Sequence, residues 1–165
     1  MPILPQSHAL SGSMFCEKID LKILSLRVCL FLSESNRVNI FAFVIMSNHF
    51  HLMWQMLGDY KREDVQRNFL KYTSQQILKV LRNEKSTMQA ELLVQSKDRK
   101  YQVWERNPLS IPLWSAPVID QKLEYIHYNP VKAGLCKYPW EYIYSSAGFY
   151  YKSDKRWSFL IHCDG

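Results

Sequence analysis

No two cysteines are spaced C-x-x-C, and Cys16, Cys29, Cys136 and Cys163 are scattered along 165 residues. That scatter speaks against a compact zinc site and against a disulfide framework; it suits reduced thiols. No run reaches about 18 consecutive apolar residues, the length a membrane-spanning helix needs. The nearest, Ile23 to Leu32, is short and interrupted by Arg27. The first residues lack the basic start of a secretory signal, so the expected location is the cytoplasm. There are no internal repeats and no low-complexity segments.

What is present suits one folded domain spanning residues 1–165. Hydrophobic residues make up 47% of the chain and aromatic ones 14%, enough to build a packed core. The net charge of +6 and the pI of about 9.1 suit a nucleic-acid partner, although a plain soluble protein can be equally basic.

Along the chain, residues 1–15 read as an irregular amino end in which Pro2 to Leu4 could begin an edge strand. Residues 17–33 carry Ile19, Ile23, Leu26 and Leu30 at helical spacing. "VNIFAFVIM", from Val38 to Met46, and His49 to Trp54 predict two strands joined as a hairpin through Ser47 and Asn48. Arg62 to Asn83 predicts a long helix with an apolar stripe of Val65, Phe69, Tyr72, Ile77 and Val80. Residues 86–100 read as a polar loop or frayed helix, and Tyr101 to Trp104 as a short strand. "NPLSIPLWSAP" predicts an extended loop. A helix should begin near Pro117 with Ser115 as its cap, and Pro130 should stop it. Residues 138–165 form an aromatic and basic tail.

The chemistry-bearing residues fall in two places. His49 and His51 are two apart on a strand, so both imidazoles share a face, opposite Phe50, Leu52 and Trp54. Two satisfied histidines are one reading; two ligands of a divalent metal are another, and they would need a third from elsewhere. Tyr125 and Asn129 are four apart on the helix before Pro130 and share a face beside the stripe of Ile119, Leu123 and Ile126. On that helix alone, Tyr125 could simply pack and Asn129 could cap. Equally, Asn129 could give a metal its carbonyl oxygen and Tyr125 could act as a nucleophile toward a phosphodiester.

"MSNHFHLMW" resembles the His-hydrophobic-His motif of the single-tyrosine HUH transposases. "LEYIHYNPVKAGL", from Leu123 to Leu135, resembles the signature helix of their REP-associated tyrosine transposase branch. "FLKYTSQQI", "VWERNPLSI" and "YIYSSAGFY" follow in the family's order, and the set covers roughly residues 38–151. The resemblance implies an α+β, ferredoxin-like domain whose antiparallel sheet carries packed helices. It implies that His49 and His51, with Asn129, bind Mg²⁺ or Mn²⁺, and that Tyr125 is the nucleophile. It implies cutting and rejoining of single-stranded DNA beside a hairpin through a 5′-phosphotyrosine, with no organic cofactor, by a monomer or homodimer that is not membrane-bound and associates with the nucleoid. Arg62, Arg67, Lys71, Lys79, Arg82 and Lys122 would then line a phosphate path. Trp104, Trp114, Tyr128, Trp140 and Trp157 would be candidates for stacking on bases.

The chain departs from the family at Ser47, where proline is common, and at its amino end. "MPILPQSHALSGSMF" is a poor version of the expected first strand, which predicts a degenerate strand or an incomplete sheet. Two other classes fit the same residues. One is a domesticated or decayed binder of structured DNA or RNA; the other is a metal-dependent nuclease that uses water. No RNP-type aromatic pair stands on a strand, which weakens an RNA module.

Overall fold

The computed structural model describes residues 7–13, 19–85, 87–94, 97, 100–104 and 108–163. Four strands, β1 (Ser7–Ser13), β2 (Val38–Ile45), β3 (His49–Met56) and β4 (Leu109–Pro112), form one antiparallel sheet in the order β2-β3-β1-β4. Helix α1 (Ile19–Glu34) connects β1 to β2, while α2 (Arg62–Asn83) and the short α3 (Met88–Glu91) lie between β3 and β4. This β-α-β-β-α-β succession with two central, antiparallel strands is the ferredoxin-like arrangement.

The amino end is not irregular throughout. Ser7–Ser13 forms the strand between β3 and β4, paired along its whole length with β3 from Ser7 opposite Gln55 to Ser13 opposite His49. Sheet pairing on both sides decides the conformation of a segment whose own strand propensity is weak. Pro2 to Leu4 and Cys16 lie outside the described residues. The prolines of the "NPLSIPLWSAP" segment likewise conceal a strand. Leu109–Pro112 pairs with β1 as an edge strand, the place where proline's missing N–H is tolerated. Of Tyr101–Trp104, Tyr101 makes a lone bridge to Leu93 and no strand follows.

The sheet separates two cores. On one face Ile40, Phe43, Ile45, Phe50, Leu52 and Trp54 meet Leu26 and Cys29 of α1 and Val65, Phe69, Ile77 and Leu81 of α2. The Phe50 and Phe69 rings stack at 5.6 Å. On the other face Phe41, Ala42, Val44, Met46 and Met53 receive Ile119 and Ile126 of α4 (Ala116–Lys132). A register shift between Ile40 and Ala42 lets consecutive Phe41 and Ala42 face the same way, which strict alternation forbids.

After α4 the chain makes a 3-10 turn, Pro139–Glu141, and a last helix, α5 (Ala147–Lys152). It then closes the outer edge of β2. Ile45 N–H donates to Tyr144 C=O, Ser146 N–H to Phe43 C=O and Ile161 N–H to Ile40 C=O, at 3.0, 2.9 and 3.1 Å. Those bonds occupy backbone groups that an open sheet edge would expose. No helix among the described residues is long and apolar enough to cross a membrane.

Candidate active site

Strand β3 supplies the first half of the site. Its period of two sends Phe50, Leu52 and Trp54 into the α1/α2 core and turns His49 and His51 toward α4. The imidazole centroids are 5.1 Å apart. Helix α4 supplies the second half. Lys122, Tyr125, Asn129 and Lys132 recur at spacings of three or four and share one face, while Ile119 and Ile126 anchor the helix on the sheet. The rings of His51 and Tyr125 meet edge-on at 5.1 Å. Asn129 Oδ1 lies 3.1 Å from His49 Nε2. Tyr125 is 40% exposed.

The helix persists to Lys132 and is not stopped by Pro130. Proline lacks the N–H that would bond Ile126 C=O, yet it stands in the last turn, where few further bonds depend on it. The stop is made by Gly134 at φ +72°. Gly134 N–H donates to Val131 C=O and Leu135 N–H to Pro130 C=O, both at 2.9 Å, the paired bonds of a Schellman cap. At the other end Ser115 occupies the N-cap position, but its side chain makes no capping bond.

Hydrogen bonds orient the donor atoms. Asn129 Nδ2 donates to Tyr125 C=O at 2.9 Å, which leaves its Oδ1 aimed at His49. Each ring nitrogen of His49 faces an amide oxygen, Nδ1 that of Asn48 at 2.7 Å and Nε2 that of Asn129 at 3.1 Å, and the tautomer decides which of the two receives its proton. His51 is buried, and neither of its ring nitrogens has a hydrogen-bond partner. Burial, then His49, then Lys122 push its pKa from 6.5 down to about 4, so it is neutral at physiological pH. Two adjacent imidazoles, one of them buried with unpartnered nitrogens, beside an amide oxygen make a donor set that suits a cation. Two imidazole nitrogens and an amide oxygen are donors a divalent ion such as Mg²⁺ or Mn²⁺ accepts, with phosphate oxygens completing its shell. Among the described residues no three His, Cys, Asp or Glu side chains are placed to hold an ion, so Asn129 is the third donor available.

The charge around Tyr125 is positive. Lys122 Nζ lies 4.9 Å and Lys132 Nζ 5.6 Å from its ring centroid. Partial burial lowers the pKa of Lys122. Lys132 and Asn48 are the site residues that sequence reasoning passes over. A helix expected to end at Pro130 excludes Lys132, although its spacing of seven from Tyr125 puts it on the same face. Asn48 reads as a turn-former, and its place beside His49 is the signal.

The arginines and lysines of α2 are not brought to this site. The apolar stripe of α2 docks on the opposite face of the sheet, which leaves Arg62, Arg67, Lys71, Lys79 and Arg82 remote from Tyr125. Arg62 pairs with Glu63, Arg67 with Asp64 at 2.7 Å, and Arg82 lies over the Tyr101 ring. Of the six cationic residues expected on a phosphate path, Lys122 alone stands at the site. Trp104 is buried, and its indole N–H donates to Thr73 Oγ1 at 2.8 Å, so it is core and not a stacking platform. Trp157 packs edge-on against Phe43. Trp114 is 61% exposed, and Trp140 and Tyr128 are half-buried.

No family model and no curated protein matches the chain. Among solved structures it resembles that of a REP-associated tyrosine transposase bound to a REP hairpin, with a TM-score of 0.63. The two share a fold. The likeness covers 88% of this chain and 79% of that one at 16% sequence identity.

Proposed function

We propose that this chain is a metal-dependent transposase that cuts and rejoins single-stranded DNA beside a hairpin, with Tyr125 as nucleophile. The observation that carries the reading is the convergence of His49, His51 and Asn129 from two elements onto the side of the Tyr125 ring. The transposase of the same fold, bound to a REP hairpin, supports a DNA partner. Bound Mg²⁺ or Mn²⁺ would polarise the scissile phosphate and neutralise its charge. His49, His51 and Asn129 would hold it.

In the step itself the Tyr125 oxygen attacks phosphorus and loses its proton to solvent. The P–O bond to the upstream 3′ carbon's oxygen breaks, and that oxygen leaves as a 3′-OH after taking up a proton. A phenol of pKa near 10 is a weak nucleophile at pH 7. The ammonium groups of Lys122 and Lys132 beside the ring would attract the phosphate. The ester keeps the energy of the broken bond, so a 3′-OH can later reverse the step without a nucleotide.

The test is a labelled single-stranded hairpin oligonucleotide mixed with protein and Mn²⁺, then run under denaturing conditions. The wild-type chain should yield a protein–DNA adduct, Tyr125→Phe none, and Tyr128→Phe the same adduct as wild type. Cleavage that persists in Tyr125→Phe would favour a nuclease using water. Binding without any cleavage by the wild type would favour a non-catalytic binder.

A further inference from the structure

Beyond the α4 cap, the chain builds a second feature that the proposed chemistry does not use. Tyr138 and Trp140 stack face to face, centroids 4.9 Å apart and planes within 2°. The pair is preset. Pro139 between them is buried, and Glu141 Oε2 accepts the backbone N–H groups of Lys137 and Tyr138, both at 2.9 Å. Trp140 in turn meets the Tyr151 ring at 5.6 Å. Tyr138 is 42% and Tyr151 44% exposed, high values for aromatic rings. Lysines lie against two of the rings: Lys137 Nζ is 5.3 Å from the Tyr138 centroid and Lys152 Nζ 4.6 Å from that of Trp140.

The array adjoins the tyrosine helix. Tyr151 packs on His127, on the side of the helix turned away from Tyr125, and burial and then Tyr128 raise the Tyr151 pKa. Lys132 over the Tyr125 ring is separated from Lys137 only by the Gly134 turn. Rigid, exposed aromatic faces paired with mobile ammonium groups match a chain of unpaired bases on a phosphate backbone, where rings stack and lysines take the phosphates. Duplex DNA, whose bases are already stacked, offers no such faces.

We propose that Tyr138, Trp140 and Tyr151, with Lys137 and Lys152, form a stacking platform that holds unpaired nucleotides of the bound strand. This rests on the strand-cutting reading for the strand it names, but the binding itself needs no chemistry. The test therefore uses full-length Tyr125→Phe protein in EDTA and a fluorescent 12-nucleotide oligo-dT, with affinity read by anisotropy. Adding Tyr138→Ala should weaken binding about tenfold, the order expected for losing one stacked base. Lys79→Ala, on the far side of the sheet, should leave it unchanged. An oligonucleotide of abasic sites should bind both proteins alike. In a second measurement, oligo-dT should quench tryptophan emission in the parent and much less in Trp140→Phe. Unchanged affinity in Tyr138→Ala together with unchanged quenching in Trp140→Phe overturns the platform. If no adduct forms with wild-type protein while these effects hold, the cutting reading fails and the platform stands.

Discussion

Acid should unfold this protein through two buried imidazoles. His51 faces His49, Lys122 and Tyr125. His127 lies on α4, fully enclosed, with Nε2 2.9 Å from Ser146 Oγ and its ring against Tyr150 and Tyr151. Burial lowers the pKa of each from 6.5 to about 4. The unfolded chain therefore takes up protons near pH 6.5 that the folded chain refuses until about pH 4. Stability is full above that range and is lost as pH falls through it. At 1.36 kcal/mol per pH unit, each ring accounts for roughly 3 kcal/mol between those limits. Two such losses approach the whole stability of an ordinary domain, about 5–15 kcal/mol. Urea unfolding followed by circular dichroism at several pH values between about 7.5 and 4.5 would read the slope. His127→Gln, which keeps a donor for Ser146 but cannot titrate, should remove about half of it. A free energy of unfolding that changes by less than about 1 kcal/mol between pH 7 and 5 would refute the reasoning.

Other perturbations have narrower effects. Asn48→Ala frees His49 to rotate and should weaken Mn²⁺ binding by about 10–100-fold in calorimetry, with the fold intact by circular dichroism. Gly134→Ala should destabilise by roughly 1 kcal/mol in urea unfolding, because φ +72° disfavours a Cβ although nothing lies within 4 Å of one. Trp104→Phe should cost about 1–3 kcal/mol, since it leaves the buried Thr73 hydroxyl without its indole donor.

The two halves of the site are legible in the sequence because each rests on local periodicity. His49 and His51 share a face by the strand's period of two, and Tyr125 and Asn129 by the helix's turn. The expected bounds of Arg62–Asn83 match the helix for the same reason, although its buried stripe runs through Thr73 and Leu81, and Tyr72, expected in it, is half exposed. Local reading fails where tertiary pairing overrides local preference. Ser7–Ser13 and Leu109–Pro112 are strands because β3 and each other supply their hydrogen bonds. Pro130 is held inside α4 because the packed helix outlasts one missing bond. The basic face of α2 is visible in the sequence, but the side of the sheet it occupies is not, since that depends on how two separate apolar stripes divide the sheet between them. The stacked pair of Tyr138 and Trp140 likewise needs the Pro139 turn to be seen in three dimensions.

The alternation along β3 also constrains how such a chain can change its length. Phe50, Leu52 and Trp54 serve the core on one side while His49 and His51 face the α4 tyrosine on the other. Deleting a single residue just before His49 would, if the turn from β2 kept its shape, slide β3 by one residue against β1 and exchange the two sets. Imidazoles would enter the apolar layer under α2, and aromatic rings would confront Tyr125. The core and the His49/His51 arrangement would be lost in one event, with no intermediate that keeps either. Substitutions can be sampled one at a time in this hairpin, but insertions and deletions can be accepted only outside it. The Leu57–Lys61 connection is one such place: the chain is already turning there, and no atom lies within 4 Å of where a Cβ on Gly58 would sit.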